Sequence, residues 1–166
     1  MGGIAESIAL VNDTCILLVE DEPNDILLLK ISFEEVGITL PLQVVTDGQM
    51  AIDYLSGAKA FADRKQFPMP CLILLDLKLP RKSGLEVLQW IREQPALRCI
   101  VVIVLTSAEH EQDVVQAYEL GANSYLVKPM NIVQRNETMR LLKGWWLECN
   151  RFAPLPQTIV GNATLS

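Results

Sequence analysis

Apolar residues fall in five short runs along the chain: CILLVE at 15–20, LQVVT at 42–46, CLILLD at 71–76, IVVIVL at 100–105 and SYLV at 124–127. Segments of helical character separate them, and strands that alternate with helices mark repeated βα units around a parallel sheet. The first, third and fourth runs are nearly continuous in Val, Ile and Leu, as strands covered on both faces should be. Helices are predicted over 23–36, 47–55, 84–94, 110–120 and 131–150. Pro23 suits a first helical position, Asp47-Gly48 opens the second helix, and Gly37 and Gly121 fall where a left-handed cap would end the first and fourth. Residues 56–70 form the one long connection, a predicted surface loop with little intrinsic order whose Pro68 and Pro70 fix its approach to the third strand.

The length of 166 residues suits one core. The expected division is an N-terminal extension over 1–13, a single domain over 14–150 and a tail over 151–166, which Pro154 and Pro156 interrupt and which is too short for a DNA-binding or catalytic output domain. No apolar run approaches the roughly 20 residues that cross a bilayer. The opening MGGIAESIALVN has no basic stretch before an apolar one, and Glu6 stands where a myristoylation signal needs Ser or Thr. A cytoplasmic protein without membrane attachment is expected.

The cysteines at 15, 71, 99 and 149 lack metal-ligand spacing; the first three lie in or beside apolar runs and read as buried thiols of a reducing compartment. The N-x-T triplets at Asn136 and Asn162 would matter only in the secretory pathway. A net charge of -6 argues against direct nucleic-acid binding, which needs clustered Lys and Arg, so the expected partner is another protein.

Open α/β sheets bind ligands beyond the carboxyl ends of their strands, where the strand order reverses. If the order is 2-1-3-4-5, the reversal lies between strands one and three, whose ends carry Glu20, Asp21 and Asp76. Two unit charges about 4 Å apart repel by roughly 4 kcal/mol at an effective dielectric near 20, so three acids need a cation or protonation. A hard, oxygen-binding ion answers this, and Mg²⁺ fits best because it keeps waters and open positions for phosphate oxygens. Strand four delivers Thr106 beside Asp76, and the long stem of Lys128 at the end of strand five reaches across. Acids, a hydroxyl and an ammonium suit phosphoryl transfer, which depends on positioning and charge neutralisation, with Asp76 as nucleophile.

The motifs Val19-Glu20-Asp21, Leu75-Asp76-Leu77-Lys78-Leu79-Pro80, Gly84, Leu105-Thr106-Ser107-Ala108 and Gly121-Ala122-Asn123-Ser124-Tyr125-Leu126-Val127-Lys128-Pro129 closely resemble the response-regulator receiver family, over roughly 14–150. The resemblance implies a flavodoxin-like doubly wound α/β fold with a five-stranded parallel sheet in the order 2-1-3-4-5. It also implies a single-domain response regulator: a self-modifying phosphoacceptor, not a turnover enzyme, that takes a phosphoryl group from a histidine kinase onto Asp76 and later loses it. By the same resemblance Asp21 and Asp76 ligate the metal directly, Glu20 acts through water, and the Lys78 carbonyl completes the protein's share. Thr106 would bond the attached phosphoryl group, Lys128 would pair with its oxygens, and Tyr125 resembles the aromatic that reports the phosphorylated state. A cis Lys128-Pro129 bond is implied too. Glu20 departs from the usual Asp, and Lys78 adds a cation two residues after the acceptor.

A weaker likeness, in loop length and in Trp145-Trp146-Leu147, points to the small regulators paired with bacterial phytochrome kinases. Adjacent helical residues differ by about 100°, so one of Trp145 and Trp146 faces the core and the other is left for the tail or a homodimer interface. His110, the only histidine, has no metal-ligand companions and reads as a solvated residue. A phosphorylation-independent scaffold or dimerisation module is the alternative function. A flavin carrier is disfavoured, because the loop Glu20-Asp21-Glu22-Pro23-Asn24-Asp25 would repel a phosphate.

Overall fold

The computed structural model describes residues 13–155. Pro156, the Asn162 triplet and nearly all of the expected N-terminal extension lie outside the described residues. Five strands and five α-helices follow in alternation: β1 Cys15–Val19, α1 Pro23–Glu35, β2 Leu42–Val45, α2 Gly48–Ser56, β3 Pro70–Leu75, α3 Gly84–Glu93, β4 Val101–Thr106, α4 Glu111–Glu119, β5 Ser124–Val127 and α5 Ile132–Leu142. All paired strands are parallel, and their order is 2-1-3-4-5, the flavodoxin-like doubly wound arrangement.

Side chains on a strand point alternately to opposite faces, so each central strand feeds two cores. Leu17, Val19, Ile73, Leu75, Val102 and Val104 pack with Tyr54 and Leu55 of α2, Val87, Leu88 and Ile91 of α3 and Ala117 of α4. On the other face Ile16, Leu18, Leu72, Leu74, Ile103 and Leu105 pack with Leu29 and Phe33 of α1 and Met139 and Leu142 of α5. This double coverage explains why β1, β3 and β4 read as unbroken apolar runs, whereas the edge strands β2 and β5 are only half-buried.

Helix boundaries follow the expected chemistry. Pro23 occupies the first turn of α1, the Asp47 carboxylate accepts from the Met50 N–H, and Gly37 and Gly121 adopt φ of +72° and +96°. Ser83 and Glu86 close a capping box at the start of α3. Gly84 admits no side chain there, because a Cβ would lie 2.1 Å from the Asp76 carbonyl oxygen. The start of α3 is therefore held against the segment that carries Asp76.

Three expectations need correction. The connection before β3 is ordered. It makes a 3-10 turn at Lys59–Phe61, and Phe61 and Phe67 stand 5.2 and 6.0 Å from the Tyr54 ring, centroid to centroid, and 5.1 Å from each other. Arg64 donates to the carbonyls of Tyr54, Leu55 and Phe67, at 2.7, 2.9 and 3.3 Å. Two aromatics spaced along a polar segment show no periodicity, and they become a cluster only when the chain folds back over α2. The fifth helix is α-helical only to Leu142 and continues as a π-helical stretch over Lys143–Cys149. Lys143 Nζ there donates to the Val36 carbonyl at the end of α1, 3.2 Å away. Of the cysteines beside apolar runs, Cys15 is buried and Cys71 half-buried, but Cys99 is exposed because β4 begins two residues later. Cys149 is exposed as well. Trp146 packs against the second core with Leu147 and Phe152, while Trp145 is 62% exposed, so the two tryptophans divide as helical geometry requires.

Candidate functional site

Parallel register aligns the strand tips. Val19 pairs with Leu75, so Glu20 and Asp76 leave the sheet side by side, while β4 runs on past its Leu75–Val104 pair to Thr106, opposite Val127. The Asp76 N–H donates to the Val19 carbonyl at 3.1 Å and the Lys128 N–H to the Thr106 carbonyl at 2.8 Å, which extends the ladder one residue past each strand. Glu20, Asp21 and Asp76 thereby converge, each with a carboxylate oxygen within 4.8 Å of the others. Glu20 and Asp76 are buried and Asp21 is exposed.

Lys128 crosses from the tip of β5 and sets its ammonium among acids, 2.5 Å from Glu20 Oε2, 2.8 Å from Asp76 Oδ2 and 2.9 Å from Asp25 Oδ2. Burial pulls its pKa down, yet the hydrogen bonds to Asp76, Glu20 and Asp25 outweigh burial and hold it above the ordinary lysine range. Burial drives the Glu20 carboxyl above its usual range, against the opposing pull of Lys128 and the Glu22 N–H. The Lys128-Pro129 peptide is trans, since no cis bond occurs among the described residues, which corrects the expected cis geometry. Trans is the favoured form of an X-Pro bond by about 0.5–1 kcal/mol, and from it Lys128 already reaches all three acids.

The remaining site residues divide. The Lys78 N–H donates to Asp76 Oδ1 at 3.2 Å while its side chain is exposed. Thr106 is fully buried and its Oγ1 accepts from the Ala108 N–H at 3.3 Å; the Tyr125 hydroxyl donates to the Ala108 carbonyl at 2.9 Å. Ala108 thus links the threonine to the tyrosine. Burial, and after it the charges of Asp113 and Asp76, raise the Tyr125 phenol. Trp145 and Trp146 belong to the π-helical stretch after α5 and stand apart from this group. Asp25 is the residue that sequence reasoning missed. With Pro23 starting the helix, Asp25 falls in the first turn of α1 and faces the crevice, and an acid two residues after a helix-starting proline is the signal that was available. Glu22 is a plain helix cap, its carboxylate accepting from the Asn24 N–H at 3.3 Å.

Carboxylate oxygens alone, three of them converging and two of those residues buried, fit a hard divalent cation. The fold and the crevice together are those of a signalling receiver. The profile of the response regulator receiver domain family matches residues 16–140, and the chain belongs to that family. It is 38% identical over 133 residues to the response regulator Rcp1 of Synechocystis, covering 80% of this chain and 88% of Rcp1. The Mn²⁺-bound form of Rcp1 superposes with a TM-score of 0.77 at 36% identity, covering 85% of this chain and 99% of that one. The response regulator RPA3017, from red-light signalling of R. palustris, gives a TM-score of 0.81 at 36% identity over the same shares. The phosphorylated cyanobacterial phytochrome response regulator RcpA gives 0.76 at 35%, again over 85% of this chain and 99% of that one. The protein is accordingly a response regulator of phosphorylation-based two-component signalling, a phosphoacceptor partnered by a histidine kinase. No helix among the described residues is long and apolar enough to cross a membrane.

Proposed function

We propose that Asp76 is the phosphoacceptor of this receiver and that Mg²⁺ is its working ion. The observation that carries the proposal is the convergence of Asp76 with Glu20, Asp21 and Lys128 at the reversal of strand order. Asp76 Oδ attacks the phosphorus of a phosphohistidine, the P–N bond breaks, and its electron pair returns to the imidazole nitrogen. Lys128 and the Thr106 hydroxyl stabilise charge on the equatorial oxygens. Glu20, Asp21, Asp76 and the Lys78 carbonyl would hold the metal, which when bound neutralises charge between the carboxylates and the incoming phosphoryl group. Water attack on the acyl phosphate returns the aspartate, so the same crevice limits the lifetime of the signal.

Attachment of the phosphoryl group draws Thr106 toward it. The contact shared through Ala108 then passes the change to Tyr125, which switches a protein-binding surface. By its likeness to the phytochrome response regulator RcpA, the kinase is a bacterial phytochrome or a close equivalent. The protein works in the cytoplasm through a downstream protein target, with residues 14–150 as the working unit. The exposed Trp145 is the contact residue for a second subunit. Incubation with Mg²⁺ and acetyl phosphate tests the acceptor assignment: the intact mass gains one phosphoryl group, and Asp76→Asn gains none. A phosphorylated Asp76→Asn protein overturns it, as does a wild type that stays unmodified.

A further inference from the structure

Lys128 has three ammonium hydrogens, and three different carboxylates take them. Two of these acceptors, Glu20 and Asp76, belong to the group of acids whose oxygens lie within 4.8 Å of one another; Asp25 does not. Both acceptors in the group would be engaged elsewhere once a metal and a phosphoryl group occupy the site. A divalent ion held by the carboxylates would compete with the ammonium for their oxygens, and phosphorylation would turn Asp76 into an acyl phosphate. Asp25 alone stays available throughout, because it comes from a different element, the first turn of α1, and takes no part in the acid cluster. Among the described residues Lys128 is the one cation within ion-pair distance of Asp25. Arg135 lines the same cleft, between α1 and α5, but donates to the Pro129 carbonyl instead, at 3.4 Å.

We infer that Asp25 is a positioning residue for phosphoryl transfer, which holds Lys128 over the crevice when the metal and the phosphoryl donor have displaced it from Glu20 and Asp76. The inference rests on Asp76 being the acceptor. Without Asp25 the four-carbon stem of Lys128 leaves the ammonium free to swing into solvent, and the transferring oxygens lose a counter-charge that is otherwise already in place. Asp25 touches no reacting atom, so all of its effect runs through Lys128.

A double-mutant cycle isolates that route. Phosphorylation by acetyl phosphate at saturating Mg²⁺ is followed in wild type, Asp25→Ala, Lys128→Ala and the double variant, with urea unfolding as the check on folding. Loss of one charge-assisted positioning bond slows the maximal rate of Asp25→Ala by roughly fivefold to tenfold. The donor concentration for half-saturation stays within about twofold, and Asp25→Glu recovers part of the rate. In the Lys128→Ala background, removal of Asp25 has no further effect. An Asp25→Ala protein as fast as wild type overturns the inference, as does an equal slowing in both backgrounds, which marks Asp25 as a structural residue of the helix start. An unmodified wild type sinks instead the acceptor assignment beneath it, so the two failures are distinct.

Discussion

The strand-tip crevice and the aromatic plate over α2 are both built from residues far apart in sequence, but they sit on opposite sides of the stability balance. In the plate the polar groups are paired: Tyr54 is buried against Phe61 and Phe67, its hydroxyl donates to the Pro68 carbonyl at 2.7 Å, and Arg64 donates to the carbonyls of Tyr54 and Leu55. In the crevice Glu20, Asp25 and Asp76 share one ammonium, and Asp21 adds a further carboxylate beside Glu20 and Asp76. Like charges are held close there with too few counter-charges, a repulsion that a bound cation would relieve. One region holds the sheet's flank together, and the other stores electrostatic repulsion.

The contrast breaks most visibly at the plate. Tyr54→Ala is expected to cost about 3–5 kcal/mol in urea unfolding, the usual loss for a buried aromatic, while the folded fraction still accepts a phosphoryl group. A loss below about 1 kcal/mol would show that the cluster contributes little. The crevice should respond with the opposite sign. Without divalent cations Asp76→Asn relieves repulsion and raises stability by about 1 kcal/mol, and millimolar Mg²⁺ narrows the gap because it stabilises the wild type more. Equal stability of the two proteins with and without Mg²⁺ counts against a charge-loaded crevice.

A third test lies in the pH dependence. Burial pushes the Cys15 thiol from an ordinary 9.0 up to about 11, and burial with the Cys15 contact raises the Tyr54 phenol too. Groups whose pKa is raised by folding stabilise the protein below their unfolded values, and that contribution fades as pH climbs through the folded ones. The urea midpoint should therefore fall from about pH 9 toward 11. In the native protein at pH 8, an alkylating reagent should modify the exposed Cys99 and Cys149 while Cys15 stays protected. A midpoint that rises over that interval would contradict the buried placement of Cys15.

Much of this was legible in the chain. Unbroken apolar runs at β1, β3 and β4 announced a sheet covered on both sides, and Pro23, Asp47, Gly37 and Gly121 marked helix ends because capping is a local matter of dihedrals and short-range hydrogen bonds. Glu20, Asp21, Asp76, Thr106 and Lys128 were legible as a set, because each directly ends or follows a recognisable strand. Asp25 was not, since its part in the crevice depends on how α1 tilts over the sheet. Nor were the order of the 57–69 connection, the π-helical turn after Leu142, the exposure of Cys99 or the trans Lys128-Pro129 bond.

Local patterning determined which residues form strands and helices and which strand tips carry acids, because periodicity and caps act over a few residues. The tertiary structure decided how those tips line up, which acids share Lys128, and that Phe61, Arg64 and Phe67 close over Tyr54. These are contacts between segments tens of residues apart. Their geometry comes from packing the whole chain at once, and no short window of sequence contains it.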